Sequence, residues 1–283
     1  MGIAKVGIVG SGVMGTGIAE VAAKAGHDVV LRSRQQDTAD AFVSRLEKSL
    51  AKQVEREKLD SAEMTAVLGR VVATDHLGDL LESDIVVECI VEDLDLKREM
   101  FAELDDLMDE RAILVSNTST FPIVELATRT ARPDRVCGMH FFNPAPVMKL
   151  VEVVRPVTAS DETIGAVIAF AEGCGKSPVE VEDRAGFIVN RLLFGYFGDA
   201  VRMLENGMAS AEDIDTAMQK GCNYPMGPFA LMDLIGLDVV VGVFDALHAE
   251  YGESRFACHP RLRRLNTAGH LGRKTGKGFF DYT

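Results

Sequence analysis

The run Gly10-Ser-Gly-Val-Met-Gly15 follows directly on an apolar segment, Lys5-Val-Gly-Ile-Val9. No other stretch constrains the fold as strongly. The segment from Ile18 to Ala25 has a helical pattern, Gly26-His27 ends it, and Asp28-Val-Val-Leu31 reads as a second strand. That is a β-α-β unit in about 30 residues, with the glycines at the strand-to-helix turn. Each glycine then plays a distinct part. The first permits the tight turn, the second lets a pyrophosphate approach the backbone, and the third lets helix and strand pack closely. Gly10, Ser11, Gly12, Val13, Met14 and Gly15 are therefore expected to cradle a dinucleotide.

The pattern continues. A long amphipathic helix is expected from Thr38 to Lys58, with Phe42, Leu46, Leu50 and Val54 on one face. A helix from Ser61 to Leu68, capped by Ser61, precedes a short strand from Val71 to Ala73. A strand ending at Glu88, a helix from Leu96 to Met108, a strand from Ala112 to Val115 and a helix from Pro122 to Ala127 follow. Strands alternating with helices predict an α/β fold, a doubly wound, mostly parallel sheet of the Rossmann type, over residues 1–185. After Arg184-Ala-Gly186 only helical patterns remain: Phe187 to Asn206, Ala211 to Lys220, Pro228 to Tyr251 and Pro260 to Ala268. Residues 186–283 are expected to form an all-α domain.

The formal net charge of −13 argues against nucleic acid as a partner, while leaving room for a local basic face toward an anionic ligand. The five cysteines are scattered without CxxC spacing, so neither a disulfide framework nor a metal centre is expected. No apolar run is long enough for a membrane span, and the first strand begins too early for a signal peptide. The expected location is the cytoplasm.

The end of the second strand bears on cofactor choice. An NAD-binding fold usually places Asp or Glu there, on the ribose hydroxyls. This chain reads Leu31-Arg-Ser-Arg-Gln35. A carboxylate at Ser33 would repel a 2′-phosphate; a serine hydroxyl with the Arg34 guanidinium would accept one. NADP(H) is expected ahead of NAD(H).

The stretch Gly138-Met-His-Phe-Phe-Asn-Pro-Ala-Pro-Val-Met-Lys-Leu-Val-Glu152 places His140 on one apolar strand and Glu152 on the next. Two prolines between them require a turn. Strand, corner and strand can bring imidazole and carboxylate together as a proton-transfer pair. On spacing alone, a structural histidine beside an unrelated glutamate fits as well.

Together with Ser116-Asn-Thr-Ser119, Gly186-Phe-Ile-Val-Asn-Arg191, Pro225-Met-Gly-Pro228 and Gly272-Arg-Lys-Thr-Gly-Lys-Gly-Phe279, these motifs resemble the 3-hydroxyacyl-CoA dehydrogenases, and within them the short bacterial 3-hydroxybutyryl-CoA dehydrogenases. The resemblance implies interconversion of (S)-3-hydroxyacyl-CoA and 3-ketoacyl-CoA, with His140 and Glu152 as the acid–base dyad and Ser119 and Asn190 as substrate-oxygen contacts. It implies cofactor contacts at Glu92, Lys97, Asn117, Asn143 and Lys274. It puts the CoA on Ser49 and Arg56, with Lys52 on the same helix face, and Ser119 and Asn143 beside the substrate. It also implies a homodimer through the helical domain. Without it, Glu92 and Lys97 read equally as a solvated charge run, and Ser119 as a helix cap. Three departures stand out: Ser33, Thr120-Phe121 in place of Ser-Leu, and Phe194-Gly-Tyr-Phe-Gly198, the last two expected to reshape the acyl pocket. Competing readings are the same chemistry on a carrier-protein thioester and a non-catalytic NADP-binding protein.

Overall fold

The computed structural model describes residues 2–282. The chain divides into two compact units, one through Arg184 and the other from Ala185. The first contains β1 (Lys5–Val9), α1 (Val13–Lys24), β2 (Asp28–Arg32), α2 (Gln36–Glu55), α3 (Ser61–Gly69), β3 (Val71–Thr74) and β4 (Ile85–Glu88). It continues with α4 (Leu94–Leu107), β5 (Ile113–Ser116), α5 (Val124–Ala127), β6 (Val136–Phe141), β7 (Leu150–Arg155), α6 (Asp161–Gly173) and β8 (Ser177–Glu182).

The strands form one sheet in the order β3-β2-β1-β4-β5-β6-β7-β8. All neighbours are parallel except β6 and β7, which run antiparallel. Central strands β4 and β5 are buried at every position, as parallel strands covered by helices must be. On α2, Phe42, Leu46 and Leu50 are wholly buried, the one-face spacing read from the sequence. The strand order reverses at β1, flanked by β2 and β4, and a crevice at that reversal is where such sheets bind ligands.

Some boundaries differ from the sequence reading. Asp60, not Ser61, caps α3: its carboxylate accepts from Glu63 N–H while Glu63 reaches back to Asp60 N–H. A carboxylate also favours the positive end of the helix. The cap of α5, by contrast, is remote in sequence, since Asp183 accepts from the N–H groups of Ile123 and Val124, both at 2.8 Å. Ser119 is therefore not the cap.

The second unit packs α7 (Val189–Glu205), α8 (Ala211–Gly221), α9 (Pro228–Ile235), α10 (Leu237–Tyr251) and α11 (Pro260–Thr267) around its own core. The single helix expected from Pro228 to Tyr251 is two helices. Gly236, at φ +103°, breaks it, a backbone that side chains rarely adopt. Phe194 and Phe197 are both buried in the core of this unit, with Phe194 edge-on to Phe197 and Phe244 at 5.4 and 5.0 Å. Asp233, also buried, accepts from Phe279 N–H, Phe280 N–H and the Tyr282 hydroxyl, and so ties down the closing segment.

Candidate active site

The glycine loop has the shape its sequence predicts. Gly10 sits at φ +117° against the Cys89 backbone, where any side chain would collide with the Cys89 carbonyl. A Cβ at Gly15 would run into the Gly10 carbonyl oxygen, whereas one at Gly12 would meet nothing within 4 Å. The loop is thus closed on the protein side and open on the side from which a phosphate must approach. An open cleft of about 530 Å³ lies there, lined by Ser11, Gly12, Val13, Thr16 and Arg45. Val13 is exposed and Met14 half-buried, as they open α1.

Ser33 is buried, and its hydroxyl is committed. Thr38 Oγ1 donates to the Gln35 carbonyl at 2.8 Å. Ser33 therefore donates to Thr38, at 2.5 Å, and accepts from the Ser11 hydroxyl at 2.8 Å. In this arrangement the Ser33 hydroxyl is engaged with its neighbours within the protein. What remains at the strand end is the lack of a carboxylate, together with exposed Arg34. Arg32 turns away, to the Asp75 carbonyl.

Arg45 is a residue that the sequence reading did not single out. Its guanidinium donates to the Ser11 carbonyl at 2.8 Å and lines the cleft. The signal is present in the spacing: Arg45, Ser49, Lys52 and Arg56 recur at intervals of four, three and four along one helix face, the first three on α2 and Arg56 at its C-terminal cap. On that face Lys52 and Arg56 are exposed. Ser49 is half-buried, and its hydroxyl donates to buried Glu20 at 2.9 Å. Glu20 also accepts from Lys24 and Gln53. Ser49 thus ties α2 to α1, and the basic groups on this face are Arg45, Lys52 and Arg56.

His140 and Glu152 are directly opposite each other in the antiparallel β6–β7 ladder. Directly opposed residues hold their side chains within reach on the same face. His140 Nδ1 donates to Glu152 Oε2 at 2.7 Å, with Glu152 wholly buried and His140 6% exposed. The ring also lies 4.5 Å from that of Phe142. With the Nδ1 proton held by a carboxylate, Nε2 of the neutral ring carries the lone pair that takes up a proton. β1, β4, β5 and β6 run parallel, so His140 lies toward the same sheet edge as the glycine loop.

Between them stands a second buried network. Lys97 is 1% exposed, which excludes a solvated charge run. Its ammonium donates to Glu88 at 2.7 Å and pairs with Glu92 at 3.3 Å. Burial works against its charge, but the facing carboxylates of Glu88 and Glu92 outweigh it and hold the ammonium above the ordinary lysine value. Glu88 accepts in addition from Ile90 N–H and the Ser116 hydroxyl. Glu92 accepts from Thr118 Oγ1, Ser119 N–H and Thr120 Oγ1, fixing the loop that presents Ser119. Asn117 Oδ1 accepts from Phe141 N–H at 2.9 Å, tying that loop to the end of β6. Asn143, exposed, precedes a cis peptide bond to Pro144.

In the helical unit, Asn190 is half-buried in the first turn of α7. Lys274 is bound by both carboxylate oxygens of Asp238, at 2.5 and 2.6 Å.

A dinucleotide loop and an imidazole–carboxylate pair on one sheet edge define a nicotinamide-dependent oxidoreductase. Residues 5–184 match the family described as 3-hydroxyacyl-CoA dehydrogenase, NAD binding domain, and residues 186–282 match its C-terminal domain. The chain is 44% identical over 278 residues to 3-hydroxybutyryl-CoA dehydrogenase of Clostridioides difficile, covering 98% of this chain and 99% of that one. It is 42% identical to human mitochondrial hydroxyacyl-coenzyme A dehydrogenase, over 97% of this chain and 90% of that one. The crystal structure of (S)-3-hydroxybutyryl-CoA dehydrogenase from Ralstonia eutropha superimposes with a TM-score of 0.97, at 41% identity and full coverage of both chains. The chain belongs to the 3-hydroxyacyl-CoA dehydrogenase family.

Proposed function

We propose that this protein interconverts acetoacetyl-CoA and (S)-3-hydroxybutyryl-CoA, with NADP(H) preferred to NAD(H). The observation that carries the reading is the cross-strand pair His140–Glu152 on the sheet edge of the glycine loop. The nicotinamide, when bound, supplies or takes the hydride at C3. The chain's own residues handle the proton. In reduction, Nε2 of the His140 imidazolium gives a proton to the C3 oxygen as the alkoxide forms; in oxidation, it takes the hydroxyl proton. Glu152 fixes the tautomer and stabilises the cation. Ser119, and Asn190 from the helical unit, are assigned to the substrate oxygens, whose charge their donors would offset. Asn117, Asn143, Glu92 and Lys274 are assigned to the cofactor, with Lys97 acting through Glu88 and Glu92. Lys52, Arg56 and Arg45 are assigned to the phosphates of CoA and the dinucleotide. We also infer a cytoplasmic homodimer, supported by Leu234 and Val239, which leave about half of their surface exposed on α9 and α10.

The NADP(H) preference is supported by the missing carboxylate at the end of β2 and by exposed Arg34. Initial rates with NADPH and NADH against acetoacetyl-CoA test it. In the double variant Ser33→Asp/Arg34→Ala, the kcat/KM ratio of NADPH to NADH should fall about tenfold or more, since about 1.4 kcal/mol of lost discrimination is a factor of ten. An unchanged ratio would refute this reading of the loop.

A further inference from the structure

β6 and β7, which carry His140 and Glu152, are joined by a connection whose centre is one helical turn. The Pro144 carbonyl accepts from the N–H groups of Val147 and Met148 at 2.9 and 3.0 Å. A single turn leaves its following carbonyls with no helical N–H to receive. Lys176, between α6 and β8, supplies the donors. Its ammonium donates to the Ala145 carbonyl at 2.5 Å and the Met148 carbonyl at 2.9 Å. The side chain is 8% exposed, and no carboxylate among the described residues lies in ion-pair reach.

We propose that Lys176 is a positioning residue for the His140–Glu152 hairpin: its buried ammonium fixes the turn 144–148 and thereby the placement of Asn143.

A buried ammonium without a counterion is costly, and an apolar side chain would fill the same space without that cost. Burial, and after it the like charge of Lys149, outweigh the more distant attraction of Glu20 and hold Lys176 below the ordinary lysine value. The charge is nevertheless placed where two carbonyls of this one turn converge. The turn also lies against the helix that begins at the glycine loop. A Cβ added to Gly17 of α1 would meet Ala145 Cβ at 3.0 Å and Pro146 Cδ at 3.1 Å. The end of the connection is stitched to the same segment as Lys176, with Ser177 N–H donating to the Lys149 carbonyl at 2.8 Å. The turn thus touches both α1, which follows the glycine loop, and Lys176. The ladder sets His140 directly opposite Glu152. Lys176 therefore governs where residues 142–143 stand between loop and dyad and leaves the dyad's own hydrogen bond untouched.

The activity arm of the test rests on the proposed reduction of acetoacetyl-CoA; the exchange arm does not. Lys176→Met and Lys176→Arg are compared with the parent protein well below their unfolding midpoints. Hydrogen exchange at the Val147 and Met148 amides is measured alongside kcat and the thioester KM. We expect Lys176→Met to exchange at least about tenfold faster at both amides and to lose about tenfold or more in kcat, because small misplacements near reacting groups cost rate steeply. Its thioester KM should stay within about threefold, and Lys176→Arg, which keeps the charged donor, should recover part of both losses. Wild-type exchange together with wild-type kcat per folded molecule in Lys176→Met would overturn the proposal. So would a lower unfolding midpoint with kcat unchanged, which marks a merely structural lysine. If Lys176→Met does not fold, Lys176→Gln is read against the same outcomes. A parent protein that turns over no acetoacetyl-CoA would instead overturn the activity reading, and the exchange arm would still decide the role of Lys176.

Discussion

Glu88 and Glu152 are both wholly buried carboxylates in one sheet, on β4 and β7, and each faces a nitrogen at 2.7 Å. Their partners differ in kind. Glu88 faces Lys97, whose proton the surrounding carboxylates hold beyond the ordinary lysine range. Glu152 faces an imidazole, the side chain whose unperturbed titration falls near neutral pH. The first pair is a permanent ion pair and serves as scaffold. With Glu92 it fixes Thr118, Ser119 and Thr120. The second pair is the one assigned above to the proton transfer. Burial of a carboxylate therefore says little about function until the partner's proton affinity is known.

On stability, the largest expected effect is at the scaffold pair. Lys97→Met leaves Glu88 charged and unpaired in the sheet, and breaking a buried pair costs about 3–5 kcal/mol. Urea unfolding should show that loss. Adding Glu88→Gln should restore part of it, because an unpaired charge then no longer remains. A Lys97→Met protein as stable as the parent would erase the distinction between the two pairs.

A smaller effect appears at high pH. The folded-state pKa of Lys97 lies above its unfolded value of about 10.4, so the folded protein keeps that proton longer than the unfolded chain. The stabilisation is complete below that value and is lost as pH rises through the raised one. Urea midpoints above about pH 10.4 should therefore converge between the parent and Lys97→Met. A gap that stays constant with pH would show that Lys97 contributes by packing alone.

The parts legible in the sequence are those set by neighbours along the chain. The glycine loop lies between its own strand and helix, and the dyad lies on two strands joined by one short turn. The parts that are not legible are set by distant partners. Lys97 sits in the run Glu92-Asp-Leu-Asp-Leu-Lys-Arg-Glu99, whose charge density reads as solvent-facing. Its burial follows from Glu88, on a strand whose position only the sheet order reveals. Asp183 caps α5 from about 60 residues away, and Lys176 reaches back about 30 residues to the hairpin turn. Gly236 breaks a helix inside a continuous apolar pattern, since an isolated glycine there is compatible with either outcome. Arg45 lies within reach of the helical spacing rule, one turn before Ser49 on the same face.

The contrast between the two pairs is tested most directly at His140. His140→Gln keeps an N–H donor for Glu152 but cannot exchange a proton. The measurement is kcat for acetoacetyl-CoA reduction by NADPH, per folded molecule, with the unfolding midpoint read on the same preparation. The predicted result is a fall of about 10²–10⁴ in kcat with the midpoint close to that of the parent. Retained turnover, or a loss of folded protein that accounts for the whole fall in rate, would contradict the assignment of His140 as the proton carrier.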